Sequence, residues 1–225
     1  MDKLSRSKLE LFLECPRCFW LEKKHGVKRP SGPPFTLNLA VDYLLKQEFD
    51  IHREKGTPHP VMKKHKIQAV PYAHDDINKW RHNFTGIQFH HKPTDFLVFG
   101  AVDDIWTNPK GELMVVDYKA TGAKEYKIYD SYKRQMEIYQ WLLRQNGFNV
   151  SPTGYFVFAK ANKADGFGMG VAALAFDMFI EPQEGDDSWI ETGLKSARQA
   201  FDSDAEPKAS GSCEYCAYRT AAEDF

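Results

Sequence analysis

The chain has 225 residues, 42% of them hydrophobic, which suffices for one sizeable core and predicts a single domain over 1–225 with terminal segments at 1–30 and 205–225. No stretch approaches the roughly 18 apolar residues that span a bilayer, and Met1-Asp2-Lys3-Leu4 begins no signal-peptide apolar region. These features exclude a helical membrane protein and predict a soluble one of the cytoplasm, whose net charge of −1 divides into +7 over residues 1–176 and −8 over 177–225.

In chain order, Ser7 and Glu10 offer a capping box, and Leu9, Leu11, Phe12, Leu13, Phe19, Trp20 and Leu21 give a thick apolar stripe. A helix is expected over 7–24, interrupted at Pro16. Residues 28–34 hold three prolines and a glycine and form a connector, after which a second helix runs over 37–54. Residues 56–74 are turn-rich and basic, and a short helix is expected over 75–83. The apolar run 96–102 and the run 113–116 flank the turn Asn108-Pro109-Lys110-Gly111, which predicts a β-hairpin. An amphipathic helix over 132–146 ends at Gly147, strands follow at 155–159 and 171–180, and a last helix occupies 188–201.

Four cysteines fall in two pairs, Cys15-Pro-Arg-Cys18 and Cys213-Glu-Tyr-Cys216. In a chain with no sign of secretion, this spacing points to metal binding rather than to disulfides. Four thiolates satisfy a tetrahedral zinc ion and an iron-sulfur cluster alike, and unrelated buried thiols are the plain alternative. A metal there would join residues 15–18 to 213–216.

Charged residues interrupt both runs of the predicted hairpin, at Gly100-Ala-Val-Asp103 and at Val116-Asp117-Tyr118-Lys119. A buried carboxylate costs several kcal/mol unless it is paired or binds a cation. Asp117 and Lys119 share a face because strand side chains alternate. Asp103 joins them if the loop has an odd number of residues or a bulge shifts the register, and a five-residue loop over 108–112 would set it opposite Asp117. Asp103, Asp117 and the Tyr118 carbonyl are then hard oxygen ligands for magnesium or manganese, with Lys119 placed to act on a bound water. The bland alternative is an Asp117–Lys119 salt bridge on an exposed strand end.

This order of motifs, followed by Gln135-x-x-x-Tyr139 on a helix, resembles the PD-(D/E)XK nuclease superfamily, and within it the RecB-like branch, over about residues 5–219. The resemblance implies an α/β fold with a restriction-endonuclease-like core: a mixed central sheet flanked by helices, its terminal segments joined by the four-cysteine site. It implies a magnesium- or manganese-dependent deoxyribonuclease with Asp103 and Asp117 as metal ligands, Lys119 as catalytic lysine, and Gln135 and Tyr139 near DNA. Four residues apart, the last two share a helical face; a half-buried tyrosine beside a solvent-facing glutamine is the alternative.

Asp42 stands where many RecB-like members carry the histidine that completes the metal site. CRISPR-associated RecB-like and AddB-type nucleases hold a 4Fe-4S cluster with one N-terminal and three C-terminal cysteines, whereas this chain has two and two. The implied partner is DNA, single-stranded or with free ends, in repair, recombination or defence. The chain has no helicase motor, so any unwinding would fall to a partner. A noncatalytic nucleic-acid-binding module with a structural zinc or iron-sulfur site is the competing reading. Lys124, Lys127, Lys133 and Arg134, interleaved with Tyr126, Tyr129 and Tyr132, offer phosphate contacts and base stacking, or else a solvated loop over packed tyrosines.

Overall fold

The computed structural model describes residues 1–164 and 172–223. In chain order the elements are β1 (Asp2–Ser5), α1 (Arg6–Glu14), α2 (Pro16–His25), α3 (Thr36–Lys55), α4 (Pro60–Lys64), β2 (Val70–Pro71), α5 (Ile77–Trp80) and β3 (Ile87–His91). They continue with β4 (Phe96–Gly100), β5 (Asp104–Thr107), β6 (Leu113–Thr121), α6 (Asp130–Gln145), β7 (Thr153–Ala161), β8 (Phe176–Glu184), α7 (Ile190–Asp202) and α8 (Glu214–Glu223). The fold is α/β with mixed sheets flanked by helices. Among the described residues no helix is long and apolar enough to cross a membrane. The chain divides into two compact units, one from residues 1–33, 88–99 and 188–225 and the other from 34–87 and 100–187.

The first unit carries a three-stranded sheet in the order β1-β4-β3, with β1 parallel to β4 and Leu4 across from Val98. Leu4, Phe96 and Val98 are fully buried. Helices α1 and α2 pack against α7. The expected interruption falls at Pro16: Cys15 is extended, and Pro16, which has no N–H to donate, opens α2. The helix is capped by Ser5, two residues before the expected Ser7, because β1 leads directly into it and Ser5 Oγ accepts from the Lys8 N–H at 3.3 Å.

The second unit is a five-stranded sheet in the order β2-β5-β6-β7-β8, with β6 and β7 parallel and the remaining pairs antiparallel. Alternation along β6 sends Met114, Val116 and Tyr118 into a core with Val41, Leu45 and Phe49 of α3. The Phe49 ring stacks on Trp106 at 5.5 Å. Asp117, on the other face of β6, meets α6. The expected helices at 37–54 and 132–146 are α3 and α6. The strand at 155–159 is the middle of β7. Val171, the expected start of the next strand, lies outside the described residues, and β8 begins at Phe176.

One expectation needs correction. The apolar run 96–102 is not the first strand of the hairpin: residues 96–100 are β4 of the other sheet, and the strand that pairs with β6 is β5. The chain leaves the first ladder at Gly100 and Ala101, where the Val102 N–H donates to the Trp80 carbonyl at 3.1 Å and Arg81 Nε donates to the Asp103 carbonyl at 3.0 Å. Backbone groups there are satisfied by α5 and its C-cap instead of by a neighbouring strand. β1, β2, β3, α4 and α8 were not anticipated. Most are very short, and β2 is two residues ending in a proline.

Gly86 makes the crossover geometrically possible. Its φ is +58°, and a Cβ there would lie 2.3 Å from the Gly100 carbonyl oxygen, which is backbone and cannot move aside. Gly86→Ala is expected to lower the unfolding free energy by about 2 kcal/mol or more, read as a reduced urea midpoint at unchanged slope.

Candidate active site

The site is built on a buried charge cluster that the sequence reading did not single out. Asp104, the first residue of β5, is fully buried, and its Oδ1 accepts from Arg81 Nη2 at 2.9 Å and from Arg53 of α3. Its Oδ2 accepts from the Tyr118 hydroxyl at 2.7 Å. Asp50, three residues before Arg53, accepts from Arg81 Nη1 at 2.8 and 2.9 Å and from Arg53 Nε at 2.9 Å. Burial raises the Asp50 carboxyl, but hydrogen bonds from Arg81 and Arg53 outweigh it and hold the group below its ordinary range. Burial, then the Asp104 charge, push the Tyr118 phenol well above its usual range, so it stays a donor.

This cluster ties α3, α5, β5 and β6 together where β5 begins. The ladder pairs Asp104 with Val116 and Thr107 with Leu113 around a five-residue loop over 108–112, and it ends one residue short of Asp103 and Asp117. Asp103 precedes the strand, and its Oδ2 accepts the Tyr118 N–H at 2.9 Å, filling the place of the missing strand partner. Because N–H and C=O of one strand residue project to the same edge, the Tyr118 carbonyl faces that gap as well.

Asp117 lies at the middle of the sheet with no exposed surface. It pairs with Lys119, its neighbour on the same face, and its Oδ1 accepts from Gln135 Nε2 at 2.7 Å. Gln135 also donates to the Tyr139 hydroxyl at 3.3 Å, and Tyr139 is buried. The glutamine therefore turns inward to the carboxylate, and the Asp117–Lys119 pair sits in the sheet interior and not on an exposed end. The Lys119 ammonium also lies 4.5 Å from the Tyr132 ring centre.

Asp42 projects from α3 with Oδ2 2.8 Å from Lys46 Nζ, and the same ammonium lies 3.5 Å from Asp103 Oδ1. Asp42 Oδ1 is buried without a hydrogen-bond partner among the described residues. Burial, then the Asp103 charge, raise the Asp42 carboxyl above its ordinary range, and Lys46 offsets part of this. The Asp42, Asp103 and Asp117 carboxylate oxygens do not all lie within 4.8 Å of one another among the described residues, and the orphaned Asp42 oxygen is the feature there that a hard cation would answer. Of the tyrosines after Lys119, Tyr126 is committed to packing: it stacks on Phe158 at 4.4 Å and donates to Glu181 Oε1 at 2.6 Å. Tyr129, Lys124 and Lys127 are exposed.

In the other unit, Cys15, Cys18, Cys213 and Cys216 come together. Among the described residues, they are the one group of three or more Cys, His, Asp or Glu ligand atoms all within 4.8 Å of one another. All four are buried, unoxidised, and able to bind a metal ion or cluster.

The sequence profile of the PD-(D/E)XK nuclease superfamily matches residues 36–221, from α3 through the second cysteine pair. The chain belongs to that superfamily. No curated protein matches it in sequence. Among solved structures, the one described as "Crystal structure of SSO0001" is similar at a TM-score of 0.45 with 15% identity, over 97% of this chain and 84% of that one.

The buried cluster yields a stability test. Arg81→Ala leaves Asp104 short of a partner in the interior and is expected to destabilise the protein by about 3–5 kcal/mol in chemical denaturation. Asp50 is depressed in the fold, so its contribution is present above its unfolded value of about 3.9 and is lost as pH falls through the lower folded value. Stability measured from pH 6 downward should therefore decline in acid, and Asp50→Asn should flatten the decline.

Proposed function

We propose that the protein is a magnesium- or manganese-dependent deoxyribonuclease of the RecB-like branch. In this reading Asp42, Asp103 and Asp117, with the Tyr118 carbonyl, hold the ion, Lys119 is the catalytic lysine, and the whole chain over 1–225 acts as one functional module. The observation that supports it most is Asp117, a fully buried carboxylate clasped between Lys119 of its own strand and Gln135 of α6. Desolvating such a group is unfavourable, and the arrangement holds it in one rotamer beside the gap where β5 stops short.

When bound, a divalent ion would supply a water of lowered pKa and neutralise charge developing on the scissile phosphate. The residues do the rest. Gln135 orients Asp117 and is itself set by Tyr139. Lys119 stabilises charge on the phosphate and orients the attacking water. The Asp103 carboxylate, anchored by the Tyr118 N–H, closes the opposite side. Exposed Lys124, Lys127 and Tyr129 after β6 suit a phosphate backbone and a stacked base, in keeping with a DNA strand that is single or has free ends. The setting proposed for it is intracellular, in repair, recombination or defence, beside a helicase or other complex partner.

One observation favours the noncatalytic nucleic-acid-binding module: Lys46 already places a cation between Asp42 and Asp103. The two readings separate in one assay. With labelled single- and double-stranded DNA, manganese or magnesium should elicit cleavage by the native protein. Asp117→Asn and Lys119→Ala should each lower the rate about a hundredfold or more while the fold is retained. Binding without cleavage by the native protein would decide for the module.

A further inference from the structure

We infer that the four-cysteine site is a mononuclear zinc site, and that it does not hold the four-iron cluster which resemblance to RecB-like nucleases implies. The inference stands on the thiols alone and is independent of the nuclease reading. Cys18 Sγ lies 3.5 Å from Cys213 Sγ and 3.6 Å from Cys216 Sγ, and Cys15 Sγ lies 3.8 Å from Cys216 Sγ. These separations are far too long for a disulfide, whose sulfurs are about 2.05 Å apart. A tetrahedron of sulfurs about 2.3 Å from a central zinc has edges of about 3.8 Å, the tetrahedral ratio of 1.63 times the bond length.

A four-iron cube has different dimensions. Each thiolate then binds its own iron at the corner of an iron tetrahedron. The sulfur-to-sulfur edge becomes the single-ion edge extended by a whole iron–iron edge. The observed separations leave no room for that extension, and all four sulfurs fall within 4.8 Å of one another.

The two-and-two partition agrees with this. Cys15 directly precedes α2 and Cys18 lies within its first turn; Cys213 directly precedes α8 and Cys216 lies within its first turn. Two helices of ten residues each thus present their positive ends, with a pair of thiols apiece, to one centre. Four thiolates around Zn²⁺ leave a net charge of −2, and the surroundings answer it. Arg29 Nη2 donates to Cys213 Sγ at 3.6 Å, and the Ser210 N–H donates to Cys15 Sγ at 3.5 Å. Such contacts fix the thiolates and partly neutralise them. With all four positions filled by buried protein sulfur, the site has no open coordination position and is structural.

The test is made on the full chain, purified anaerobically from cells supplied with both iron and zinc. Elemental analysis should find one zinc per chain, no acid-labile sulfide and no broad visible absorption. Replacing the metal with Co²⁺ should give the intense visible bands and sulfur-to-cobalt charge transfer of a tetrahedral tetrathiolate. Asp117→Asn should keep the zinc, whereas Cys18→Ser with Cys216→Ser should lose it. Four irons with sulfide, a single iron, a metal-free protein, a weak octahedral cobalt spectrum, or zinc retained by the cysteine variant would each overturn the inference. The cobalt spectrum of the native chain stands even if the cysteine variant fails to fold.

Discussion

A carboxylate without access to water must be answered by charge and hydrogen bonds, and in the larger unit that requirement falls on Asp104. Two guanidiniums, a phenol and its own backbone neighbour, the Ile105 N–H at 2.8 Å, converge on it. The donors come from α3, from the end of α5 and from β6, so one buried group positions three elements against the start of β5. Burying such a cluster adds little net stability over an apolar core, but breaking it leaves an uncompensated charge. It therefore specifies geometry: the point where β5 begins decides that Asp103 stands outside the ladder with its carboxylate on the Tyr118 N–H.

The same constraint links the fold to the candidate site. Tyr118 is divided among three tasks by the geometry of a strand. Its ring faces the α3 core, its hydroxyl serves Asp104, and its backbone edge meets Asp103. Asp117 and Lys119, one residue to either side, necessarily face the other way, toward α6. An alternation of polar and apolar positions along β6 thus separates a structural face from a face rich in charge, although the middle of the strand is buried on both.

What the sequence disclosed follows from what is local. The five-residue loop over 108–112 and the period of two determine the register that pairs Thr107 with Leu113 and Asp104 with Val116. The four-residue spacing puts Gln135 and Tyr139 on one face, and paired cysteines announce their own proximity. The Asp104 cluster was not legible for the opposite reason. Asp103 and Asp104 are identical letters side by side, and the difference between them is made by Arg53 and Arg81, 51 and 23 residues away. Nothing local to Arg53 or Arg81 in the sequence points to that carboxylate. The split of the run 96–102 between two sheets was hidden likewise, since an unbroken apolar run does not reveal that Gly86 has pushed its backbone against Gly100. Lys46, between Asp42 and Asp103, belongs to the same class, a charge on an amphipathic helix whose partner is 57 residues away.

The smaller unit meets a different difficulty. It is assembled from three separate stretches of chain, and its two cysteine pairs are 195 residues apart at their closest thiols. Tying points that distant removes much freedom from the unfolded chain: by the entropy of loop closure, a link of this length offsets about 5 kcal/mol. Among the apolar residues of this unit, Leu4, Leu9, Phe19, Phe96, Val98, Ile190, Leu194 and Ala197 are fully buried, a modest set for a body gathered from both ends of the chain. On the zinc inference, a closed tetrathiolate centre at the N-termini of α2 and α8 would supply what so small a core does not. The burial of all four thiols suits such a centre, since a structural metal serves best where exchange is slow and the ligands cannot oxidise.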